Sequence, residues 1–189
     1  MTNASPGHSS PPLSRPIALS TTAAGRQRDL CASVVIPCAA DTIWRILTSY
    51  DRLAEIIPSL TLSRRLPHPE GEGKIRLEQV GAQKLLKLNF SARVVLDMEE
   101  EYPNAIHFAM VEGDFKYMKG AWKLEALEPE ADQPQTRLSY CLTILPKRTM
   151  PVSLVESRLS EGMTMNLEAI YRLAIAANQG VNLNFSPAV

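Results

Sequence analysis

Four polar residues occupy positions that their apolar neighbours would bury. Arg64, Gln79 and Tyr140 each fall in register with apolar residues in stretches that alternate polar and apolar positions. Asn166 lies on the apolar stripe of a long helical segment, close to Gly162. A buried amide without a hydrogen-bond partner costs about 1–3 kcal/mol, so such a group needs a partner. We expect these side chains to orient the polar head of a ligand in an apolar cavity, or to be satisfied by neighbouring groups of the protein.

The wall of that cavity should come from the same helix and from the alternating stretches. We predict that its apolar lining consists of Phe90, Trp122, Leu159, Gly162, Met163 and Ile170. A glycine in mid-helix costs about 1 kcal/mol relative to alanine, and the missing side chain would let a ligand or a strand approach the helix closely. Methionine suits a wall that must adapt to a flexible ligand.

The remaining reactive residue types do not form a known catalytic or metal-binding pattern. The three histidines share no ligand spacing such as HxxxH, and there is no GxSxG motif and no glycine-rich phosphate loop. Cys31, Cys38 and Cys141 form no CxxC pair, so we expect three small buried side chains instead of a disulfide or a zinc site. We therefore predict no catalytic residues, no metal and no cofactor.

The spacing of apolar residues predicts the elements that position these side chains. A strand over residues 31–36 and two short helices come first. Between residues 60 and 144, six stretches with apolar residues at every second position predict an antiparallel meander. A helix is predicted from Pro151 to about Asn178, and its apolar stripe must lie against the sheet.

Both ends of the chain are predicted to lie outside the folded domain, which spans residues 30–179. Residues 1–29 are rich in Ser and Pro and contain no acidic residue before Asp29, and residues 180–189 follow a glycine. The first segment is interpreted as a disordered tail, with a transit peptide as the alternative. We expect a cytoplasmic protein, or an organelle protein if the segment is a transit peptide.

The charge balance excludes some partners. Lys and Arg total 20 and so do Asp and Glu, which argues against a nucleic-acid-binding protein because such domains carry a basic excess. No apolar run approaches the roughly 18 residues of a membrane span. We predict no integral membrane segment and leave transient membrane contact and the oligomeric state open.

Several motifs resemble the polyketide cyclase/dehydrase and coenzyme Q-binding group of the START-like superfamily. The matching stretches, which together cover about Leu30 to Asn178, are Val35–Pro58, Gly113–Phe115, Gly120–Trp122, Thr136–Tyr140 and Pro146–Leu167. The resemblance implies an α+β helix-grip fold, in which a curved antiparallel sheet wraps around a long C-terminal helix. It also implies two short helices after the first strand and an enclosed hydrophobic cavity.

The resemblance implies two kinds of function, because members of the group carry quinones or lipids or catalyse polyketide ring closure. We expect a non-enzymatic carrier or chaperone of a hydrophobic small molecule, such as a quinone, another prenyl lipid or a polyketide-like compound. A polyketide aromatase/cyclase or dehydratase is the alternative, but Tyr140, Arg64 and His107 form no recognisable acid–base set. An assembly or partner-binding factor on the same fold is the second alternative.

Overall fold

The strands of the protein outnumber its helices, and one helix is much longer than the others. The computed structural model describes residues 16–85 and 88–180, and the side chains of residues 83–90 lie outside that description. The elements in chain order are β1 (Ala18–Ala24), β2 (Gln27–Ile36), α1 (Ala40–Leu47), a single helical turn (Tyr50–Arg52), α2 (Leu53–Ile56), β3 (Leu60–Leu66), β4 (Ile75–Leu85), β5 (Leu88–Glu101), β6 (Ala105–Gly113), β7 (Tyr117–Glu130), β8 (Gln133–Leu145) and α3 (Val152–Asn178).

The eight strands form one antiparallel sheet in the order β1-β2-β8-β7-β6-β5-β4-β3. Strands β3 to β8 form the predicted meander, and β2 returns to pair with β8. A sheet of this width twists and curls because each strand pair is rotated relative to the next. The prediction of a curved antiparallel sheet around a long C-terminal helix, with short helices after the first strands, is confirmed.

The core lies between α3 and the side of the sheet that faces it, which we call the inner face. Along β8, Leu138, Leu142 and Ile144 are buried on the inner face while their neighbours are more exposed. From α3, the side chains of Leu167 and Ile170 are fully buried against this layer. Removing an apolar side chain of this size from water contributes roughly 1.5–3 kcal/mol, so the long helix is held mainly by this contact.

The prediction that residues 1–29 lie outside the fold is wrong for residues 18–24, which form β1, and for residues 27–29, which begin β2. All seven residues of β1 are exposed, so no apolar periodicity marks the strand in the sequence. Backbone hydrogen bonds to β2 hold it instead, in a register that runs from Ala18 opposite Ser33 to Ala24 opposite Gln27. The other parts of the predicted tails, residues 1–15 and 181–189, lie outside the described residues.

The cysteines also differ from the prediction, because Cys31 and Cys141 form a disulfide. They lie directly opposite each other on β2 and β8, although 110 positions separate them in the chain. Cysteine spacing reports local motifs and could not reveal a pair created by strand register. Cys38 alone among the described residues is a free, buried thiol, as predicted, and burial raises its pKa to about 12.

A bulge in β3 places Arg64 on the opposite face from the one predicted. The pairing of β3 with β4 shifts between Leu60 and Leu62, so Ser63 turns inward while Arg64 turns outward. On the outer face the Arg64 guanidinium binds Glu78, which also accepts a hydrogen bond from Arg93 at 2.6 Å. These two arginines hold the pKa of Glu78 below its usual range. Arg64 therefore does not reach the interior.

Gly120 on β7 is required by close packing on the inner face. A Cβ atom at this position would collide with the Phe108 ring on β6 and with the carbonyl oxygen of Cys141 on β8. Gly81 on β4 is different, because a Cβ there would meet its nearest atom, the Ser59 carbonyl oxygen, at 3.6 Å, an ordinary contact distance. Packing therefore excludes a side chain at Gly120 and leaves room for a Cβ atom at Gly81.

We predict that Gly120→Ala lowers the free energy of unfolding by about 1–3 kcal/mol, because the strands cannot separate to make room for the methyl group. Gly81→Ala is the matched control and should stay within about 0.5 kcal/mol of the original protein or stabilise it, since alanine is favoured over glycine in strands. Urea unfolding measures both. Equal losses for the two variants would contradict the packing described for Gly120.

Candidate functional site

The space between the inner face and α3 contains two adjoining chambers. The first, of about 120 Å³, lies against α3 and is called the helix chamber. The second, of about 90 Å³, lies deeper and is called the core chamber. A dry cavity of about 150 Å³ can hold benzene, so each chamber is of the order of one ring. Six residues border both chambers and form what we call the waist: Ser59, Leu60, Gln79, Met118, Tyr140 and Asn166.

Four of the six apolar residues predicted from the sequence border the chambers. Leu159, Gly162 and Met163 line the helix chamber, and Trp122 lines the core chamber. Ile170 is fully buried within the core and borders neither chamber. It lies one helical turn beyond Asn166, where α3 is already packed against the sheet. The side chain of Phe90 lies outside the described residues.

Three of the four predicted polar residues meet at the waist: Gln79, Tyr140 and Asn166. Tyr140 stacks on Trp122 with the ring centroids 4.0 Å apart and the planes 6° from parallel. Burial raises the pKa of Tyr140 to about 12, so its hydroxyl keeps its proton at neutral pH. Within the described part of the chain the Tyr140 ring contacts Trp122 and Phe108, and its hydroxyl makes no hydrogen bond. The hydroxyl is therefore available to a ligand as donor or acceptor.

Asn166 has an unsatisfied polar atom. The residue is 7% exposed, and its Oδ1 has no hydrogen-bond partner among the residues that the structure describes. Leaving such an acceptor unpaired costs about 1–3 kcal/mol, and folded proteins rarely retain that cost without a functional reason. An amide with no partner at the waist is consistent with a group that a ligand satisfies.

Arg158 was not among the site residues predicted from the sequence. Its side chain is only 10% exposed, borders the helix chamber and donates a hydrogen bond from Nη1 to Glu161 Oε2 at 3.0 Å. The signal was present in the spacing, because Arg158, Gly162 and Asn166 follow one another at intervals of four and so share one side of the helix. The site therefore has a buried cation at its α3 wall.

A separate cleft of about 1080 Å³, larger than either chamber, lies on the outer face of the sheet. Charged side chains of both signs line it, and several are paired, as His68 Nε2 is with Asp97 Oδ2 at 3.4 Å. His107 also lies there. Small-molecule sites are enclosed and mostly apolar with a few convergent polar groups, a description that fits the two inner chambers better.

Comparison with known proteins agrees with this geometry. The model of the family described as polyketide cyclase/dehydrase and lipid transport matches residues 36–170. No curated protein matches the chain. In the part of the chain that the structure describes, no helix is long and apolar enough to cross a membrane.

Three solved structures are similar to this one. An aromatase/cyclase from a Streptomyces species superposes with a TM-score of 0.63 at 15% identity, covering 80% of this chain and 96% of that one. A START superfamily protein from Mycobacterium smegmatis gives 0.63 at 17% identity, covering 79% and 98%. A STAR-related lipid transfer protein from Xanthomonas axonopodis gives 0.62 at 17% identity, covering 84% and 93%. At these identities the likeness shows the fold alone.

We predict that Asn166→Leu stabilises the ligand-free protein by about 1 kcal/mol, because an apolar group of similar size replaces an unsatisfied buried amide. Chemical denaturation of the purified protein measures the change. Met163→Leu, a volume-conserving change on the same wall, is the control and should have a smaller effect. A loss of 1 kcal/mol or more in Asn166→Leu would show that the amide has a stabilising partner.

Proposed function

Because the chain belongs to the polyketide cyclase/dehydrase and lipid transport family, we propose that it binds a hydrophobic small molecule in the two inner chambers and carries it without covalent change. A quinone or another prenyl lipid is the kind of ligand that this proposal includes. The observation that carries it is the waist, where four uncharged polar side chains interrupt an apolar cavity and one of them has an oxygen with no partner among the described residues.

The energetics of such a site favour an apolar ligand. Each buried CH₂ group contributes about 0.8 kcal/mol, so a ligand that fills both chambers needs few polar contacts. The walls supply the apolar surface through side chains such as Val94, Leu159 and Met163 in the helix chamber and Leu96, Met98 and Phe108 in the core chamber. The polar groups of the waist would then fix the position of the ligand's head.

The chemistry of the lining supports carriage over catalysis. Among the lining side chains that the structure describes, only Tyr50, Tyr140 and Arg158 can titrate. Burial raises the pKa of Tyr50, and its hydroxyl already donates a hydrogen bond to Glu100 Oε1. Tyr140, with a pKa of about 12, is too weak an acid to exchange its proton readily at neutral pH. Arg158 carries a permanent charge, since the guanidinium keeps its proton in proteins. Proton abstraction from a substrate would need a base, and this part of the lining does not supply one.

A polyketide cyclase or dehydratase is the second candidate, and one arrangement favours it. The protonated Tyr140 hydroxyl lies at the waist with Arg158 on the wall of the adjoining chamber. A phenol and a guanidinium could together polarise a carbonyl that becomes an enolate, which is the developing charge in ring closure. The two candidate functions differ in one outcome: a carrier releases its ligand chemically unchanged, whereas a cyclase or dehydratase releases a product.

We predict that Gly162→Leu weakens binding of N-phenyl-naphthylamine, a neutral fluorescent hydrophobic probe, at least tenfold, because the new side chain occupies the helix chamber. The free energy of unfolding should change by less than about 2 kcal/mol, as for a substitution next to an existing void. Met165→Leu, on the exposed side of the same helix, is the matched control. Unchanged probe binding in Gly162→Leu would show that this position does not border the binding space.

We predict that the purified protein returns hydrophobic ligands unaltered and in stoichiometric amount. The measurement is incubation with a prenyl quinone, a lipid and a polyketide mimic, followed by extraction and mass spectrometry. The control is Tyr140→Phe, which removes the phenol hydroxyl at the waist and keeps the ring stacked on Trp122. A cyclised or dehydrated product formed over many turnovers, and lost in Tyr140→Phe, would overturn the carrier assignment and favour the second candidate.

A further inference from the structure

The hydrogen bonds behind the waist fix the direction in which one of its polar groups points. Ser63 Oγ lies 2.7 Å from the backbone carbonyl oxygen of Tyr50, and Gln79 Nε2 lies 3.2 Å from the same Ser63 Oγ. A carbonyl oxygen can only accept, so the single hydroxyl proton of Ser63 must go to Tyr50. Ser63 Oγ can then only accept from Gln79, which requires the NH₂ group of the amide to face Ser63.

The Gln79 amide is therefore locked, and its carbonyl oxygen is turned away from Ser63. Exchanging the oxygen and nitrogen of the amide would place two acceptors together behind the waist, so the orientation follows from the network itself. Among the described residues the Gln79 side chain has no hydrogen bond besides the one to Ser63. Its Oε1 is thus left as an acceptor at the waist.

Tyr50, which accepts the hydrogen bond of Ser63, is itself buried and held by further hydrogen bonds. Tyr50 is 2% exposed, and its hydroxyl donates a hydrogen bond to Glu100 Oε1 on β5 at 2.6 Å. Its backbone belongs to the helical turn before α2 and also accepts the N–H of Leu53. Ser63, 5% exposed on β3, is equally enclosed. The hydrogen bonds that orient Gln79 therefore connect it to β3, to β5 and to the helical turn that contains Tyr50.

The other three polar side chains of the waist have no such fixed orientation. The hydroxyls of Ser59 and Tyr140 can rotate to donate or accept, and the Asn166 amide has no hydrogen bond to another described residue that would select one orientation. All three can satisfy a hydroxyl or a carbonyl on the ligand. Among these four side chains Gln79 alone presents a carbonyl oxygen in a fixed orientation, and a ligand oxygen that faces it must donate a proton.

We propose that the ligand carries a hydrogen-bond donor, such as an alcohol or phenol hydroxyl, between two apolar parts, and that Ser63 enforces this choice by orienting Gln79. This inference rests on the proposed function and narrows its ligand class: a quinol or phenol satisfies the waist, whereas a quinone or ketone places its oxygen against Gln79 Oε1. Ser63 is a positioning residue, since it acts on the ligand only through Gln79.

Three molecules with one skeleton test the proposal. Benzhydrol, benzophenone and diphenylmethane each have two phenyl rings, one for each chamber, joined by a carbon bearing a hydroxyl, a carbonyl oxygen or neither. Dissociation constants are measured by displacement of N-phenyl-naphthylamine from the purified full chain. We expect benzhydrol to bind more tightly than diphenylmethane and about tenfold more tightly than benzophenone. Leaving a buried acceptor unsatisfied costs about 1.4 kcal/mol, which corresponds to this tenfold difference in the dissociation constant.

The Ser63→Ala variant should reduce the preference for benzhydrol over benzophenone to less than about threefold, because the freed amide can turn and donate to the ketone. The change should come from tighter binding of benzophenone, a gain that general damage to the fold does not produce. Ser33→Ala, on the outer face of β2, is the matched control and should keep the tenfold preference. If Ser63→Ala fails to fold, Gln79→Met, which removes the acceptor at similar size, should abolish the preference instead.

Two results overturn the inference and leave the proposed function standing: equal binding of the alcohol and the ketone by the original protein, or an undiminished preference in a folded Ser63→Ala or Gln79→Met variant. A protein that binds neither the probe nor any of the three molecules overturns the proposed function, and the inference with it.

Discussion

The packing of one long helix against a curved sheet is the constraint from which the site follows. Helix α3 has 27 residues and is therefore about 40 Å long. The sheet that faces it has eight strands and curls across its width. The two do not meet equally closely along the whole helix. Contact is tight around Leu167 and Ile170, and space remains near Gly162, where the helix has no side chain to fill it.

The sequence was sufficient for the elements and for most of the wall, because both depend on local periodicity. Each of the six strands from β3 to β8 and the bounds of α3 follow from the spacing of apolar residues. The placement of Gln79, Tyr140 and Asn166 at the interior follows from the same spacing. Arg64 shows the limit of the method: one bulge in β3 exchanged the two faces of the strand, and alternation alone does not reveal a bulge.

Features that depend on residues distant in the chain could not be derived in this way. Strand β1 carries no apolar pattern and exists because the edge of β2 offers backbone partners. The hydrogen bonds that join Tyr50, Ser63 and Gln79 link three separate elements, and each residue type is unremarkable by itself. Arg158 could have been predicted from the sequence, because it lies four residues before Gly162 and so on the same side of the helix. It was not predicted because a charged side chain is normally expected at the surface.

The disulfide between Cys31 and Cys141 has a topological consequence for the helix. It closes residues 31–141 into a covalent ring that includes α1, α2 and all of the strands from β3 to β7. Helix α3 lies outside this ring and is joined to it covalently only through the end of β8 and the segment 146–151. The ring thus links β2 to β8 by a covalent bond, whereas α3 is held by noncovalent contacts such as the buried side chains of Leu167 and Ile170 and the ion pair of Glu156 with Arg28. Any displacement of α3 that uncovers the helix chamber would therefore cost those contacts and leave β2 covalently tied to β8.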